Sequence, residues 1–274
     1  MDYGFAFLLT TLAGLSTGIG SAIAFLIRRP NFTFLAVALG FSAGVMIYIS
    51  FAELLRTAVD EVGFGVANLA FFLGIAFIAV ADWLIPHQYE DEAVRETRLF
   101  PGGSKNVSPE TTAGAPSEAG AGQRSILKRA GLLTALGIAI HNFPEGLITF
   151  SSAAASESLG IAVAIAVAVH NIPEGIAVSV PIQYATGSRR QAFAYSFASG
   201  LAEPVGALIG FAILRPFLTP TVLSSLLGFV AGIMVYISLD ELLPLAHKYG
   251  KENPVIIGLG AGMLVMAASL YLLG

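Results

Sequence analysis

Leu39-Gly40-Phe41-Ser42-Ala43-Gly44-Val45-Met46-Ile47-Tyr48-Ile49-Ser50-Phe51-Ala52-Glu53-Leu54-Leu55 returns late in the chain as Leu227-Gly228-Phe229-Val230-Ala231-Gly232-Ile233-Met234-Val235-Tyr236-Ile237-Ser238-Leu239-Asp240-Glu241-Leu242-Leu243, identical at twelve of seventeen positions. Each copy, with its flanks, reaches the roughly 20 apolar residues that a helix needs to cross the hydrocarbon core of a bilayer. The copies are the second and the seventh apolar runs of the chain, so they cross in opposite directions and the duplication is inverted. A weaker match joins Gly14-Leu15 and Gly20 of the first run to Gly200-Leu201 and Gly206 of the sixth at nearly the same spacing. Inverted repeats place a binding site near the bilayer midplane, at the interface of the two halves.

Working outward, the apolar runs fall near residues 5–27, 32–55, 64–86, 129–151, 159–183, 191–214, 222–246 and 254–273. The expected fold is an all-α polytopic membrane protein of eight transmembrane helices, a single domain over 1–274 in a 3+2+3 arrangement. It consists of a three-helix unit, a two-helix centre and an inverted copy of the unit. Composition agrees: of the 274 residues 55% are hydrophobic and only 12% charged, against about 25% charged in soluble domains, which excludes a soluble globular protein. Asp2, where a basic start belongs, and the length of the first run argue against a cleaved signal peptide. The absence of Cys excludes disulfides, iron–sulfur clusters and thiolate chemistry. A net charge of −4 and the lack of a glycine-rich loop ending in Lys-Ser or Lys-Thr leave no basis for nucleic acid or nucleotide as partner.

Basic residues set the expected orientation, because cytoplasmic loops retain Lys and Arg. Arg28, Arg29, Arg95, Arg98, Lys105, Arg124, Lys128, Arg129, Arg189, Arg190, Lys248 and Lys251 share one side, leaving only Arg56 and Arg215 on the other. Both termini are therefore expected outside the cytoplasm. Pro101-Gly102-Gly103-Ser104, Ser108-Pro109 and the small polar tract from Thr111 to Gln123 have nothing apolar to bury, so about 90–124 reads as a disordered cytoplasmic loop. His87 and Glu90-Asp91-Glu92 at its start read as a solvated acidic helix end or as a collector of released cations.

The chemistry lies in two hexads, His141-Asn142-Phe143-Pro144-Glu145-Gly146 in the fourth run and His170-Asn171-Ile172-Pro173-Glu174-Gly175 in the fifth, one residue different. Each puts His and Glu at i and i+4 on one helix face, close to the centre of its span, where ionisable groups are costly and signal function. Glu203-Pro204 adds a third central carboxylate in the sixth run. Pro144, Pro173 and Pro204 cannot donate to the carbonyls of Ile140, Val169 and Gly200, which frees backbone oxygens at the same depth. Three carboxylates with no Lys or Arg nearby require protons, imidazolium or a metal for charge balance. Two imidazoles, two amides and three carboxylates suit Zn, Fe(II), Mn, Co, Ni or Cd and disfavour Cu(I). They suffice for one metal ion or for two sharing bridging carboxylates. Met46 and Met234, at matched repeat positions, are thioether contacts or simple packing.

At these hexads the sequence resembles the ZIP (Zrt-, Irt-like protein) family of divalent metal transporters, most closely its bacterial ZupT branch, over essentially the whole chain. The resemblance implies a binuclear metal site of His141, Asn142, Glu145, Asn171, Glu174 and Glu203, with His170 joining or adjoining it and Met46 at the second span's ligand position. It further implies uptake into the cytoplasm across the inner (plasma) membrane, an elevator-like alternating-access motion and homodimers. Many members carry a His-rich loop between the third and fourth spans, whereas this loop has only His87 at its edge.

The expected function is therefore a divalent transition-metal transporter (zinc, with iron, manganese, cobalt or cadmium as further cargo), with no catalytic residue and no catalytic cofactor. Two other readings use the same residues. One is a proton-coupled carrier of an organic solute. The other is an intramembrane metalloenzyme, which would be expected to show a His-Glu-x-x-His pattern that this chain lacks. The repeat also suggests two mouths for the pathway, with Glu53 near the outer end of the second span and Asp240 and Glu241 near the inner end of the seventh.

Overall fold

The computed structural model describes residues 2–26, 32–83, 118–214, 217, 219–250 and 252–273. The basic pair Arg28-Arg29, His87, Glu90-Asp91-Glu92 and most of the expected 90–124 loop lie outside the described residues.

Among the described residues the chain is helical throughout, with no strand. Helix α1, Tyr3–Ala24, starts where Asp2 accepts from the Phe5 amide at 3.0 Å, satisfying one of the free amides at a helix start. Helix α2, Phe32–Ile49, passes through a π-helical turn, Ser50–Leu55, into α3, Arg56–Val62. Gly63, at φ +81°, makes the bend into α4, Phe64–Trp83, a conformation that suits glycine. Then follow α5, Glu118–Ala155, and α6, Glu157–Thr186, which ends on Gly187 in the left-handed conformation. Helix α7, Arg189–Gly200, breaks at Leu201 before α8, Ala202–Leu214. That break is the expected effect of Pro204, which cannot donate to the Gly200 carbonyl. Helix α9, Pro220–Ile237, is capped by the Thr219 hydroxyl on the Val222 amide. A second π-helical turn, Ser238–Leu242, leads into α10, Leu243–Tyr249, and α11, Glu252–Leu273, completes the chain.

The two π-helical turns occupy matched positions of the internal repeat. In each, a serine hydroxyl bonds back to the carbonyl four residues earlier, Ser50 to Met46 and Ser238 to Met234, both at 2.7 Å. Side chains of this kind compete for helix carbonyls and loosen the regular ladder.

Among the described residues six stretches are long and apolar enough to cross a membrane: Tyr3–Ala24, Thr33–Val62, Glu157–Gln183, Arg189–Ile213, Pro220–Tyr249 and Glu252–Leu272. The chain is thus a helical polytopic membrane protein. The expectation of eight such helices is met only in this coarser form. The run at 64–86 coincides with a shorter apolar helix, Phe64–Val80. The run at 129–151 lies inside α5, whose polar residues at its start and at mid-length dilute its hydropathy. Helix α5 begins at Glu118, inside the segment expected to be disordered.

Packing divides the helices into two bodies, α1 with α5–α8, and α2–α4 with α9–α11. Helix α2 packs on α6 and α9 on α5 across the boundary between them. Helices in lipid gain nothing from hiding apolar surface from one another and instead approach closely at small residues. A Cβ at Gly14 would strike the Gly200 carbonyl and one at Gly200 the Gly14 carbonyl, so α1 and α7 cross at matched repeat positions. One at Gly146 would strike the Glu203 carbonyl, as one at Gly175 would strike that of Thr17. The large apolar side chains left exposed, among them Leu69, Phe72 and Phe77 on α4 and Ile257 and Leu264 on α11, line the outer faces.

Candidate metal centre

Both hexads lie at the heart of the first body, and their six polar side chains are essentially inaccessible, as is Glu203. One ligand atom from each of His141, Glu145 and Glu174 lies within 4.8 Å of the others. A zinc ion with ligands at about 2.0–2.2 Å would draw these atoms closer together.

The two hexads are wired alike. His141 Nε2 lies 3.1 Å from Glu174 Oε2, and His170 Nε2 lies 3.3 Å from Glu145 Oε1 without hydrogen-bond geometry. Each His therefore faces the Glu of the other helix. Asn142 donates through Nδ2 to the Ser199 carbonyl at 3.1 Å, and Asn171 to the Ala13 carbonyl at 3.1 Å. Asn171 also donates to Glu203 Oε1. Both amide groups are thereby oriented by backbone of α1 and α7, leaving their oxygens free.

The atoms left over decide what the arrangement can hold. Asn142 Oδ1, both Glu145 carboxylate oxygens, Asn171 Oδ1 and Glu203 Oε2 are buried without a hydrogen-bond partner among the described residues. Each such atom costs about 1–3 kcal/mol when nothing binds it. Arg56, Lys128, Arg189 and Arg190 are exposed and Lys248 is partly so, which leaves none of these cations in the buried cluster. A set of free carboxylate and amide oxygens, flanked by two imidazoles, fits one or two divalent cations and fits no anion.

Several contacts were not legible as site features. Ser42, on α2, donates to Glu174 Oε1 at 3.0 Å. Its signal in the sequence was a mismatch, since the repeat has Val230 at the matched position. Glu241 was expected only at the inner mouth, yet its Oε2 lies 3.6 Å from His141 Nδ1 while its side chain keeps 28% of its exposure. Its neighbour Asp240 is exposed, and Glu53, in the first π-helical turn, is partly buried. Met46 and Met234 are both buried in the main apolar cluster.

Comparison with known proteins points to a family. The ZIP zinc transporter family profile matches residues 87–270. The chain is 53% identical to the zinc transporter ZupT of Nitratidesulfovibrio vulgaris, over 97% of this chain and 96% of that one. It is 50% identical to the zinc transporter ZupT of Clostridium perfringens, over 97% and 95%. A third relative, the zinc transporter ZupT of Chlorobium phaeovibrioides, is 53% identical over 98% and 97%. With the profile covering most of its length and its relatives matched nearly end to end, this chain belongs to the ZIP family.

Proposed function

We propose that the protein carries divalent transition-metal ions, zinc foremost, across the inner membrane into the cytoplasm. The observation that carries this reading is the buried set of carboxylates with unpartnered oxygens, a place whose charge balance a cation completes. The names of the relatives support zinc as cargo; iron, manganese, cobalt and cadmium fit the same donors.

In this reading the site is binuclear. His141, Glu145 and Glu174 form one half, with Met46 as a thioether on its side. Asn142, Asn171 and Glu203 form the other, and the two Glu carboxylates bridge. His170 adjoins Glu145. The fold is the eight-span inverted repeat, with α4 and the apolar part of α5 as the remaining two spans, which the matched helix pairings and paired π-helical turns favour. Both termini lie outside. Alternating access is a sliding of the body α1 with α5–α8 against the other, Glu53 drawing ions in and Glu241 with Asp240 passing them out. The transporter works as a homodimer in the bilayer, the 90–124 loop lies in the cytoplasm, and no catalytic step or catalytic cofactor is assigned.

The test is uptake by proteoliposomes of the purified chain, with a panel of divalent ions competing against zinc and an imposed pH gradient. Saturable zinc entry, competed by cadmium and absent from empty liposomes, is expected. Accumulation of an organic solute without metal binding would replace this reading with the proton-coupled carrier.

A further inference from the structure

Glu145 and Glu174 hold equivalent places in the two hexads, yet they are not equivalently bound. Both oxygens of Glu145 lack a hydrogen-bond partner. Glu174 has both occupied, Oε2 by His141 at 3.1 Å and Oε1 by the Ser42 hydroxyl at 3.0 Å. The internal repeat explains the difference. Helix α2 packs on α6 as α9 packs on α5, so the counterpart of the Ser42–Glu174 pair is Val230–Glu145, and valine has no donor.

Ser42 is fully buried and has a second acceptor within reach, the His170 carbonyl oxygen at 3.3 Å. A serine hydroxyl carries one proton and serves one acceptor at a time. We infer that Ser42 is a positioning residue for the transported ion, holding Glu174 Oε1 while the site is empty and turning to the His170 carbonyl when a cation takes that oxygen. The hydroxyl is then never without an acceptor, and Glu174 is never left with an unsatisfied oxygen. Binding exchanges a hydrogen bond to a carboxylate for a weaker one to a neutral carbonyl, so Ser42 opposes loading and favours release. Its absence from the Glu145 side makes one carboxylate permanently open to the ion and the other conditionally so.

The inference rests on the transport reading, and its test separates the two. Zinc binding is measured by equilibrium dialysis on the full-length chain in detergent, and zinc uptake in proteoliposomes, for wild type, Ser42→Ala, Ser42→Val and Ser42→Thr. Ser42→Ala removes a single oxygen and is the variant on which the outcome turns; valine and threonine are near-isosteric and differ in the hydroxyl. Loss of the hydroxyl should tighten zinc about tenfold, lower KM and kcat by similar factors, and leave kcat/KM nearly unchanged, while threonine restores wild-type values. Zinc affinity in Ser42→Ala that is unchanged or weaker overturns the inference, as does a loss of kcat with KM unaltered. A wild type that binds no zinc fails the transport reading instead.

Discussion

Replacing Glu145 by Gln removes one negative charge from the cluster while keeping the shape of the side chain. Both Glu145 oxygens lack hydrogen-bond partners among the described residues, so the substitution breaks no hydrogen bond, and relief of repulsion with Glu174 and Glu203 offsets the weakened 3.3 Å approach of His170 Nε2. The metal-free variant should melt at or above the wild-type temperature. The ion sees the opposite effect. At an effective dielectric constant of about 20, two unit charges about 4 Å apart interact by about 4 kcal/mol, and a divalent ion doubles that. Desolvation and the amide's remaining dipole return roughly half, leaving a loss on the order of 4 kcal/mol, or about a thousandfold in Kd. Thermal unfolding in detergent with and without zinc reads both effects at once. At a zinc concentration of about 1,000 times the wild-type Kd, wild type gains about 4 kcal/mol of stability and the variant gains almost none. A variant that keeps zinc affinity within tenfold of wild type, or one that is destabilised without metal, refutes the placement of Glu145 at the ion.

Three further outcomes follow from the same geometry. Asn142→Ala should weaken zinc uptake less than Glu145→Gln does, because a neutral amide offers a dipole and no charge; equal losses in dose–response uptake would contradict it. Zinc affinity should fall as pH is lowered, because ligands must shed their protons before metal binds and the His141 nitrogen that faces Glu174 is among them; tighter binding in acid, by titration at several pH values, would contradict the ligand set. In a chain without native Cys, an impermeant thiol reagent should label Glu53→Cys only from outside and Glu241→Cys only from inside, with zinc slowing both; labelling of both from one side would overturn the topology and the inverted repeat together.

What the sequence disclosed and what it concealed have distinct physical origins. Apolar runs must be long to cross lipid, so the six stretches that are long and apolar enough among the described residues coincide with runs that could be read directly. The hexads were legible because ionisable residues are expensive at mid-bilayer and stand out against their surroundings. The π-helical turns at Ser50–Leu55 and Ser238–Leu242 were not legible. An extra residue per turn carries no compositional mark, and the serine back-bonds to Met46 and Met234 at these turns have counterparts in regular helix, as at Thr10 and Thr149. Such a turn shifts the helical register, and Glu241, within the second one, reaches 3.6 Å from His141 when its position alone suggested a separate mouth. Ser42 was hidden for another reason: serine is unremarkable in a membrane helix, and its meaning lies in the acceptor it meets on a different helix.

In the proposed mode of transport the ion rests among the buried carboxylates of the two hexads. Anomalous diffraction at the zinc edge, from crystals of the metal-free protein soaked in zinc, tests it most directly. A peak is expected bonded at about 2.0–2.2 Å to carboxylate oxygens of Glu145 and Glu174, with a second one toward Asn142, Asn171 and Glu203. Peaks confined to exposed acidic side chains, with the centre empty at saturating zinc, would contradict it.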